Sequence, residues 1–405
     1  MVRHMRILHL CDSLNPAGLG GYESYLYYLS KHLALRGHEC IVVTQAAHRR
    51  AKPTEQMDHL VVRNLRGNLL EARKWEYYTY PENERNHIVD ELFSRDDIER
   101  NVEMLIPELG NVLKEFHPDI IHAHSTYVIF NRVLHRLRIS HRTPPTVLTV
   151  HGLPKHLVLP GGEQTTDYGQ LAQFAPFDIV LGVSKHVTRA LTRWLGSQCR
   201  VELSYIGVDL QVFRRLRGMG KSWDIAFMGR LELEKGVDLI PSMLQLLSKE
   251  KQHNVSMVIT GEGSFRNTLL GELERLNLDG TVEYLGVIPL EMVPEIINRS
   301  KVFIYPSRRE PFGLSIVEAM ACQTAVVSTN VFGPSEIITP GRDGIVVAPD
   351  SATELVDAVH SILGNPADRN KMGAEARRTV ESRFDISRHT AQLLEIYEDL
   401  VRRYT

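Results

Sequence analysis

Two glutamates, Glu310 and Glu318, are separated by seven residues in the segment REPFGLSIVEAM and could hold a ligand rich in hydroxyl groups. Carboxylates accept hydrogen bonds, and sugars are dense in hydroxyl donors. An apolar run ends at Tyr305 and helical spacing begins at Leu314, which predicts a strand-to-helix turn around Gly313. A helix that begins there offers unpaired N–H groups and a partial positive charge to an anion. The segment therefore predicts a site for an elongated ligand that carries hydroxyls and an anionic group.

A second candidate site contains two cations, in the segment GRLELEKG. Arg230 comes directly after a predicted strand, and Lys235 follows five residues later, before a predicted helix. Fixed positive charges at the carboxyl end of a strand suit a diphosphate, because they stabilise negative charge that develops on a leaving group. Taken alone, each residue is equally consistent with a surface ion pair.

Glycines occupy the turn between the first predicted strand and its helix, at Gly20 and Gly21. Such a turn lets the backbone approach a phosphate closely. The segment has neither the GxGxxG pattern of dinucleotide binders nor the lysine and hydroxyl residue of a nucleoside triphosphatase loop. It therefore argues against a dehydrogenase.

Histidines lie at the ends of two predicted strands. His151 follows the strand at 146–150, at the edge where parallel sheets bind ligands, and could donate to a sugar hydroxyl. His122 and His124 could fall on one side of a strand and imitate metal ligands, but the sequence indicates no third ligand. Packing or cleft lining is the favoured interpretation of that pair.

Short apolar runs alternate with helical spacing along the whole chain, which predicts an α/β fold with two doubly wound parallel sheets. The predicted strands span 7–10, 40–44, 120–123, 146–150, 179–183, 202–206, 224–228, 256–259, 283–285, 302–305, 325–328 and 345–347. We expect one domain at 1–210, a second at 211–385, and a helix at about 386–405 that packs back on the first domain. The charge-rich segment 46–110 is expected to form partly helical surface structure. Its aromatic residues, Trp75, Tyr77, Tyr78 and Tyr80, weakly favour a pocket for a second substrate.

Composition excludes several classes of protein. The chain has 405 residues with 47 Lys and Arg against 49 Asp and Glu, so no general positive field favours nucleic acid. Four scattered cysteines predict neither disulfides nor a zinc site. No apolar run reaches the length of a membrane span. We expect a cytoplasmic protein, with a peripheral membrane contact left open.

The motifs around Glu310, Arg230, Lys235, Gly21 and His151 occur in the order found in family 4 retaining glycosyltransferases, which the chain resembles over nearly its whole length. The resemblance implies a GT-B architecture of two Rossmann-like domains that face a central cleft. It also implies that the N-terminal domain binds an acceptor and the C-terminal domain a nucleotide-diphosphate sugar.

The resemblance further implies roles for individual residues. The residues implied to act at the reacting centre are His151, Arg230, Lys235 and Glu310. Those implied to bind the donor are Gly20, Gly21, Gly261, Glu262, Val287, Ile288, Phe312, Gly313, Leu314 and Glu318. The segment 333–337 resembles one that closes the donor pocket.

The expected reaction is transfer of a hexose or N-acetylhexosamine, with retention, from a nucleotide-diphosphate sugar to an acceptor hydroxyl. A UDP-sugar is preferred on family frequency alone, and the acceptor could be a small molecule, a glycan or a lipid-linked compound. The chain has no Asp-x-Asp motif, so we expect no metal and no cofactor. Front-face attack and double displacement both stay open. The alternatives are a nucleotide-sugar 2-epimerase of the same fold and a binding protein without turnover.

Overall fold

The computed structural model describes the chain apart from residues 1–3, 12–20, 47, 49, 71–72, 74–79, 81–93, 126–128, 141–142, 154–156, 159–163, 166–176, 250–254 and 405. The described residues form two large sheets with helices packed on them, one in each half of the chain. The predicted α/β class with two parallel sheets is confirmed.

The first half of the chain builds an eight-stranded sheet in the order β10-β9-β6-β5-β1-β2-β4-β3. The strands are β1 (Arg6–Cys11), β2 (Glu39–Gln45), β3 (Thr54–Met57), β4 (Leu60–Leu65), β5 (Ile120–Ser125), β6 (Thr146–Val150), the separate pair β7 (Leu157–Val158) and β8 (Gln164–Thr165), β9 (Ile179–Gly182) and β10 (Arg200–Leu203). All neighbours in the large sheet are parallel except β3 and β4. Its central strands are buried along nearly their whole length, which explains their continuous apolar runs.

Four helices of the first half are α1 (Gly21–Leu35), α2 (Arg95–Phe116), α3 (Ile129–Ser140) and α4 (Lys185–Leu195). Local signals fix their ends. Ser94 caps α2 by accepting a hydrogen bond from the Asp97 N–H, and α2 ends where His117 adopts a left-handed φ of 46°. Ser184 caps α4 in the same way through the Val187 N–H.

The expectation of surface structure at 46–110 is wrong for two parts of that segment. Strand β4 pairs with β2 in parallel and extends the central sheet, with Leu60 fully buried. Helix α2 is helical as expected, but Val102, Leu105 and Leu109 on one of its faces are completely buried in the core. The charged residues between these apolar positions masked the pattern. The predicted pocket aromatics Trp75, Tyr77 and Tyr78 lie outside the described residues.

The second half builds a six-stranded parallel sheet in the order β13-β12-β11-β14-β15-β16. Its strands are β11 (Trp223–Met228), β12 (Met257–Thr260), β13 (Val282–Gly286), β14 (Ser300–Tyr305), β15 (Ala325–Thr329) and β16 (Ile345–Val347). Its helices are α5 (Leu239–Lys249), α6 (Arg266–Arg275), α7 (Val293–Arg299), α8 (Leu314–Ala321), α9 (Phe332–Ile337), α10 (Ala352–Gly364) and α11 (Pro366–Arg383). The predicted turn before α8 is present, with Gly313 at a φ of 108° that only glycine adopts readily.

The chain crosses twice between the two halves. The first crossing follows β10, which starts two residues earlier and ends three residues earlier than the predicted 202–206. The second crossing leads into α12 (Ile386–Tyr404), which packs on α1. The crossings touch each other, since Val208 pairs with Asp385 and the N–H of Ile386 donates to the Val208 carbonyl over 3.1 Å.

None of the four cysteines, all of which the structure describes, forms a disulfide. Among the helices of the described residues, none is both long and apolar enough to cross a membrane.

Gly207, at the contact between the crossings, should not tolerate a side chain. A Cβ atom added there would lie 2.5 Å from the Cα atom of Ile386. We expect Gly207→Ala to lower the free energy of unfolding by about 2–4 kcal/mol, because backbone has to move. Gly220→Ala, in the same connection but with no atom within 4 Å of the new Cβ, is the control and should stay within about 1 kcal/mol of the parent. Urea denaturation measures both variants, and equal stabilities would contradict this account of the crossing.

Candidate active site

The two halves meet where α1 and α8 begin, directly after the two glycine-containing turns that are candidate phosphate sites. A Cβ atom added at Gly21, the first residue of α1, would lie 3.5 Å from the Cβ atom of Leu314, the first residue of α8. Each helix start carries unpaired N–H groups and a partial positive charge. The cleft between the halves is therefore electropositive at this point from both sides. Gly20 lies outside the described residues.

Glu310 is held by three donors in the loop before α8. Its Oε2 atom accepts from Lys235 Nζ over 2.8 Å and from the Tyr305 hydroxyl over 2.6 Å, and Oε1 accepts from the Phe312 N–H over 3.3 Å. Burial alone would raise the pKa of Glu310, but the Lys235 ammonium and the hydrogen bonds hold that pKa below its ordinary value. The carboxylate stays ionised and fixed in orientation. Sequence reasoning placed Lys235 and Glu310 in the site but did not foresee that they pair, or that Tyr305 joins them.

Arg230 lies at the carboxyl end of β11 and pairs with Glu234 over 2.7 Å. Its side chain is 38% exposed, whereas Lys235 is almost buried at 10%. The ammonium of Lys235 has three N–H donors and gives one to Glu310, so the pair neutralises charge without consuming the donor capacity of the cation. Arg230 and Lys235 therefore form a cationic edge that an anion in the cleft can reach.

Glu318 differs from Glu310 in its surroundings. It lies in the second turn of α8 with 7% of its surface exposed, and its carboxyl forms no ion pair with another described residue. Burial raises its pKa to about 8. A buried carboxylate is costly for the folded protein unless it becomes protonated or gains hydrogen bonds. Such a group is suited to a ligand that brings its own hydroxyl donors.

Main-chain turns at the ends of β11, β12 and β13 line the other end of the cleft. Gly261 has a φ of 122°, and a Cβ atom there would lie 1.9 Å from the Gly229 carbonyl oxygen, so only glycine fits. The Tyr284 hydroxyl lies 2.9 Å from the Gly261 carbonyl oxygen and 2.8 Å from Glu262 Oε1, so these two acceptors share its single proton. Glu262 is therefore held by a neighbouring strand. The half-buried Val287 and the buried Ile288 follow the end of β13.

His151 follows β6 and faces the start of α1. Its Nε2 atom lies 3.5 Å from Nδ1 of His124, and its ring contacts those of Tyr22 and Tyr25, with centroids 5.5 and 5.6 Å away. Burial lowers the pKa of His151 to about 3. The imidazole therefore stays neutral at physiological pH and can act through a hydrogen bond but not as a charged group.

The expectation that His122 and His124 lack a third partner is wrong. Parallel pairing of β1 and β5 brings His9 beside them, and ligand atoms of all three rings lie within 4.8 Å of one another. His122, however, uses both ring nitrogens, one with the Tyr397 hydroxyl and the other with Thr149 Oγ1 at 2.8 Å. The rings of His122 and His124 also contact each other, with centroids 4.0 Å apart and planes tilted by 34°. This geometry favours a hydrogen-bonded cluster over a metal site.

A contact between the halves that sequence reasoning missed involves Glu336 in α9. Its carboxylate accepts from the N–H groups of Lys185 and His186 over 2.9 and 3.0 Å, and from the Tyr205 hydroxyl over 2.9 Å. The negative charge of Glu336 thus caps the start of α4 in the first half. Phe332 stacks on the His186 ring at 3.9 Å and strengthens the contact. The segment 333–337 therefore reaches across the cleft, which a motif within one half could not reveal.

We expect Glu318→Gln to stabilise the ligand-free protein at alkaline pH. The folded pKa of about 8 lies above the ordinary 4.5, so between these values the folded protein holds a proton that the unfolded chain has lost, and stability falls as the pH rises. Glutamine does not titrate, so the Gln variant does not lose stability in this way. Its melting temperature at pH 8 should exceed that of the parent by several degrees, equivalent to about 1–3 kcal/mol. The difference should shrink near pH 5.

The matched control for this measurement is Glu274→Gln, which alters an exposed glutamate of α6. It should show no such dependence on pH. A Glu318→Gln variant that melts at the parent's temperature throughout this range would show that Glu318 is not protonated by burial.

Two family models match the chain in succession. The model described as Glycosyltransferase Family 4 matches residues 19–212, and the model described as Glycosyl transferases group 1 matches residues 212–379. Glycogen synthase of Mycobacterium tuberculosis (strain CDC 1551 / Oshkosh) is 24% identical over 401 residues, covering 96% of this chain and 94% of that protein.

Solved structures resemble the whole chain. Sucrose-phosphate synthase from Thermosynechococcus elongatus matches with a TM-score of 0.80 and 21% identity, covering 99% of this chain and 100% of that one. HepE of Anabaena, in complex with UDP-glucose, matches with a TM-score of 0.71 and 19% identity, covering 98% of this chain and 100% of that one. These likenesses establish the fold, and the family models establish the family: the chain is an enzyme of the family 4 glycosyltransferases with the GT-B fold.

Proposed function

We propose that this glycosyltransferase moves a hexose or N-acetylhexosamine, with retention of anomeric configuration, from a UDP-sugar to a hydroxyl of an acceptor without a metal ion. The observation that carries the proposal is the electropositive contact between the start of α1 and the start of α8, beside Arg230 and Lys235. Two helix starts and two cations supply the charge that a diphosphate requires. In this arrangement Glu318 accepts hydrogen bonds from the nucleoside end of the donor, and Glu310 accepts from the sugar.

The surroundings of Glu310 favour front-face attack over double displacement. A carboxylate that already accepts from Lys235, Tyr305 and the Phe312 N–H is a weak nucleophile. In the proposed step the bond from the anomeric carbon to the diphosphate breaks, and a bond to the acceptor oxygen forms on the same face. The acceptor proton passes to the departing phosphate oxygen, and Arg230 and Lys235 stabilise the charge on that group.

The choice of uridine rests on family frequency and on HepE, whose structure contains UDP-glucose. Glycogen synthase and sucrose-phosphate synthase, reported above, are named for synthesis, which favours transfer over the epimerase alternative. Glu76, Glu82, Glu84, Asp90 and Glu91 lie outside the described residues, and a solvated run of charges is the favoured interpretation of them. The proposed acceptor is therefore a small molecule, a glycan or a lipid-linked compound. The proposed location of the enzyme is the cytoplasm or a membrane surface.

A donor screen tests the proposal. The protein is incubated with UDP-, GDP- and ADP-sugars, with and without a set of sugar, cyclitol and glycan acceptors, and released nucleotide is measured. We expect release from a UDP-sugar that depends on the acceptor, persists in excess EDTA and gives a product of unchanged anomeric configuration by NMR. Loss of turnover in EDTA with recovery on adding magnesium would refute metal independence. Conversion of the sugar without any acceptor would instead support the epimerase.

The role of the cationic edge is tested by Arg230→Met. Because Arg230 is partly exposed, the variant should fold normally, while kcat should fall by about 10²–10³ through loss of one fixed donor to the leaving group. Lys249→Met removes a charge from the exposed end of α5 and serves as the control. Equal kcat values for both variants would contradict a role for Arg230 in charge stabilisation.

A further inference from the structure

A line of buried histidines runs from the core of the first domain to the cleft. His9 Nδ1 in β1 lies 3.1 Å from His124 Nε2 in β5, and His124 Nδ1 lies 3.5 Å from His151 Nε2. His9 and His124 are fully buried. Neighbouring polar groups are engaged elsewhere, since Tyr25 binds His389 over 2.6 Å and His122 binds Tyr397 and Thr149. The line is thus a separate hydrogen-bonded chain that ends at His151.

Each ring in this chain is neutral, because burial lowers the pKa of His9 and His151 to about 3 and that of His124 well below its ordinary value. A neutral imidazole has one N–H and one bare nitrogen, so it donates from one side and accepts on the other. The protons can therefore point in only two ways. They all point toward the cleft, which leaves His151 with an N–H at Nδ1, or they all point toward the core, which leaves Nδ1 bare.

The core end of the chain decides between these patterns. His9 Nε2 is buried and has no hydrogen-bond partner. If the protons point toward the core, this nitrogen carries an orphaned N–H. If they point toward the cleft, it carries only an unused lone pair. Orphaned buried N–H groups are rarer in folded proteins than acceptors with unused capacity.

We propose that His124 is a positioning residue, whose hydrogen bond holds His151 in the tautomer that presents an Nδ1–H donor to the cleft, and that the lack of a proton acceptor at the core end of the chain sets this direction. This inference rests on the proposed function for its consequence. Among the described residues Nδ1 of His151 has no hydrogen-bond partner, so its proton is available to a ligand. Oxygen atoms of the transferred sugar can accept from it, and a bare nitrogen could not serve them in this way.

The tautomer is measured directly by NMR of protein labelled with ¹⁵N-histidine, in which the signals of His151 are assigned by their loss in His151→Gln. We expect the wild type to carry its proton on Nδ1. The test variant is His9→Asp, which places an obligatory acceptor opposite His124 Nε2 and should reverse both hydrogen bonds. Its His151 should carry the proton on Nε2, and kcat should fall about tenfold, with the dissociation constant for UDP unchanged.

The matched control is His9→Leu, which removes the same imidazole but supplies no acceptor. His151 should keep its Nδ1 proton, and kcat should stay within about threefold of the wild type. A wild-type proton on Nε2, or a folded His9→Asp variant that keeps the proton on Nδ1, overturns the inference. Should His9→Asp fail to fold, the wild-type tautomer alone decides.

This measurement requires no turnover, so it separates the two proposals. A failed donor screen overturns the proposed function while the tautomer can still be read. An active enzyme with the proton on Nε2 overturns only the positioning role.

Discussion

The ion pair between Lys235 and Glu310 organises the donor side of the cleft. Removing two charges from water is expensive, and the pair is tolerated because Tyr305 and the Phe312 N–H also donate to the carboxylate. The pair joins the short turn after β11 to the loop after β14, which are far apart in the sequence. Both loops must therefore keep one relative position, and the cation keeps a fixed place.

Other contacts make the same two loops a single rigid unit. The Arg308 guanidinium donates two parallel hydrogen bonds to the Asp238 carboxylate, over 2.7 Å to Oδ1 and 2.8 Å to Oδ2. Gly236 has a φ of 69°, and a Cβ atom there would lie 2.0 Å from the Pro306 carbonyl oxygen, so the backbones touch directly. Charges that must stabilise a leaving group act best when they do not have to reorganise during the reaction. The rigidity of this region is thus part of its chemistry.

The sequence predicted a strand or helix well where the residues of that element alone carry a clear pattern. Strand β6 spans the predicted residues, and the glycine turn before α8 was legible because only glycine adopts its backbone conformation readily. Charged residues around Leu60 to Leu65 and along α2 concealed two core elements. The composition of such a short segment does not show that one face of the strand or helix is buried by residues distant in the sequence.

Three parts of the site that sequence reasoning missed depend on distant partners. His9 bonds His124 across 115 positions, and Glu336 bonds His186 across 150. Neither residue carries a local signal, since a histidine within a strand and a glutamate on a short helix are ordinary. The partner of Glu310, Lys235, was identified from its own motif, but their contact across 75 positions was not. Pairing of this kind is a property of the fold.

The return of α12 to the first domain has a consequence for synthesis on the ribosome. Tyr25 in α1 and His122 in β5 take their hydrogen-bond partners from α12, yet those partners are translated after the whole second sheet. At ~5–20 residues per second, the roughly 180 residues between the two crossings take about 10–35 seconds to make. During that interval the nascent first domain exposes an apolar face and unpaired polar groups. The first domain can therefore complete its core only after α12 has been made.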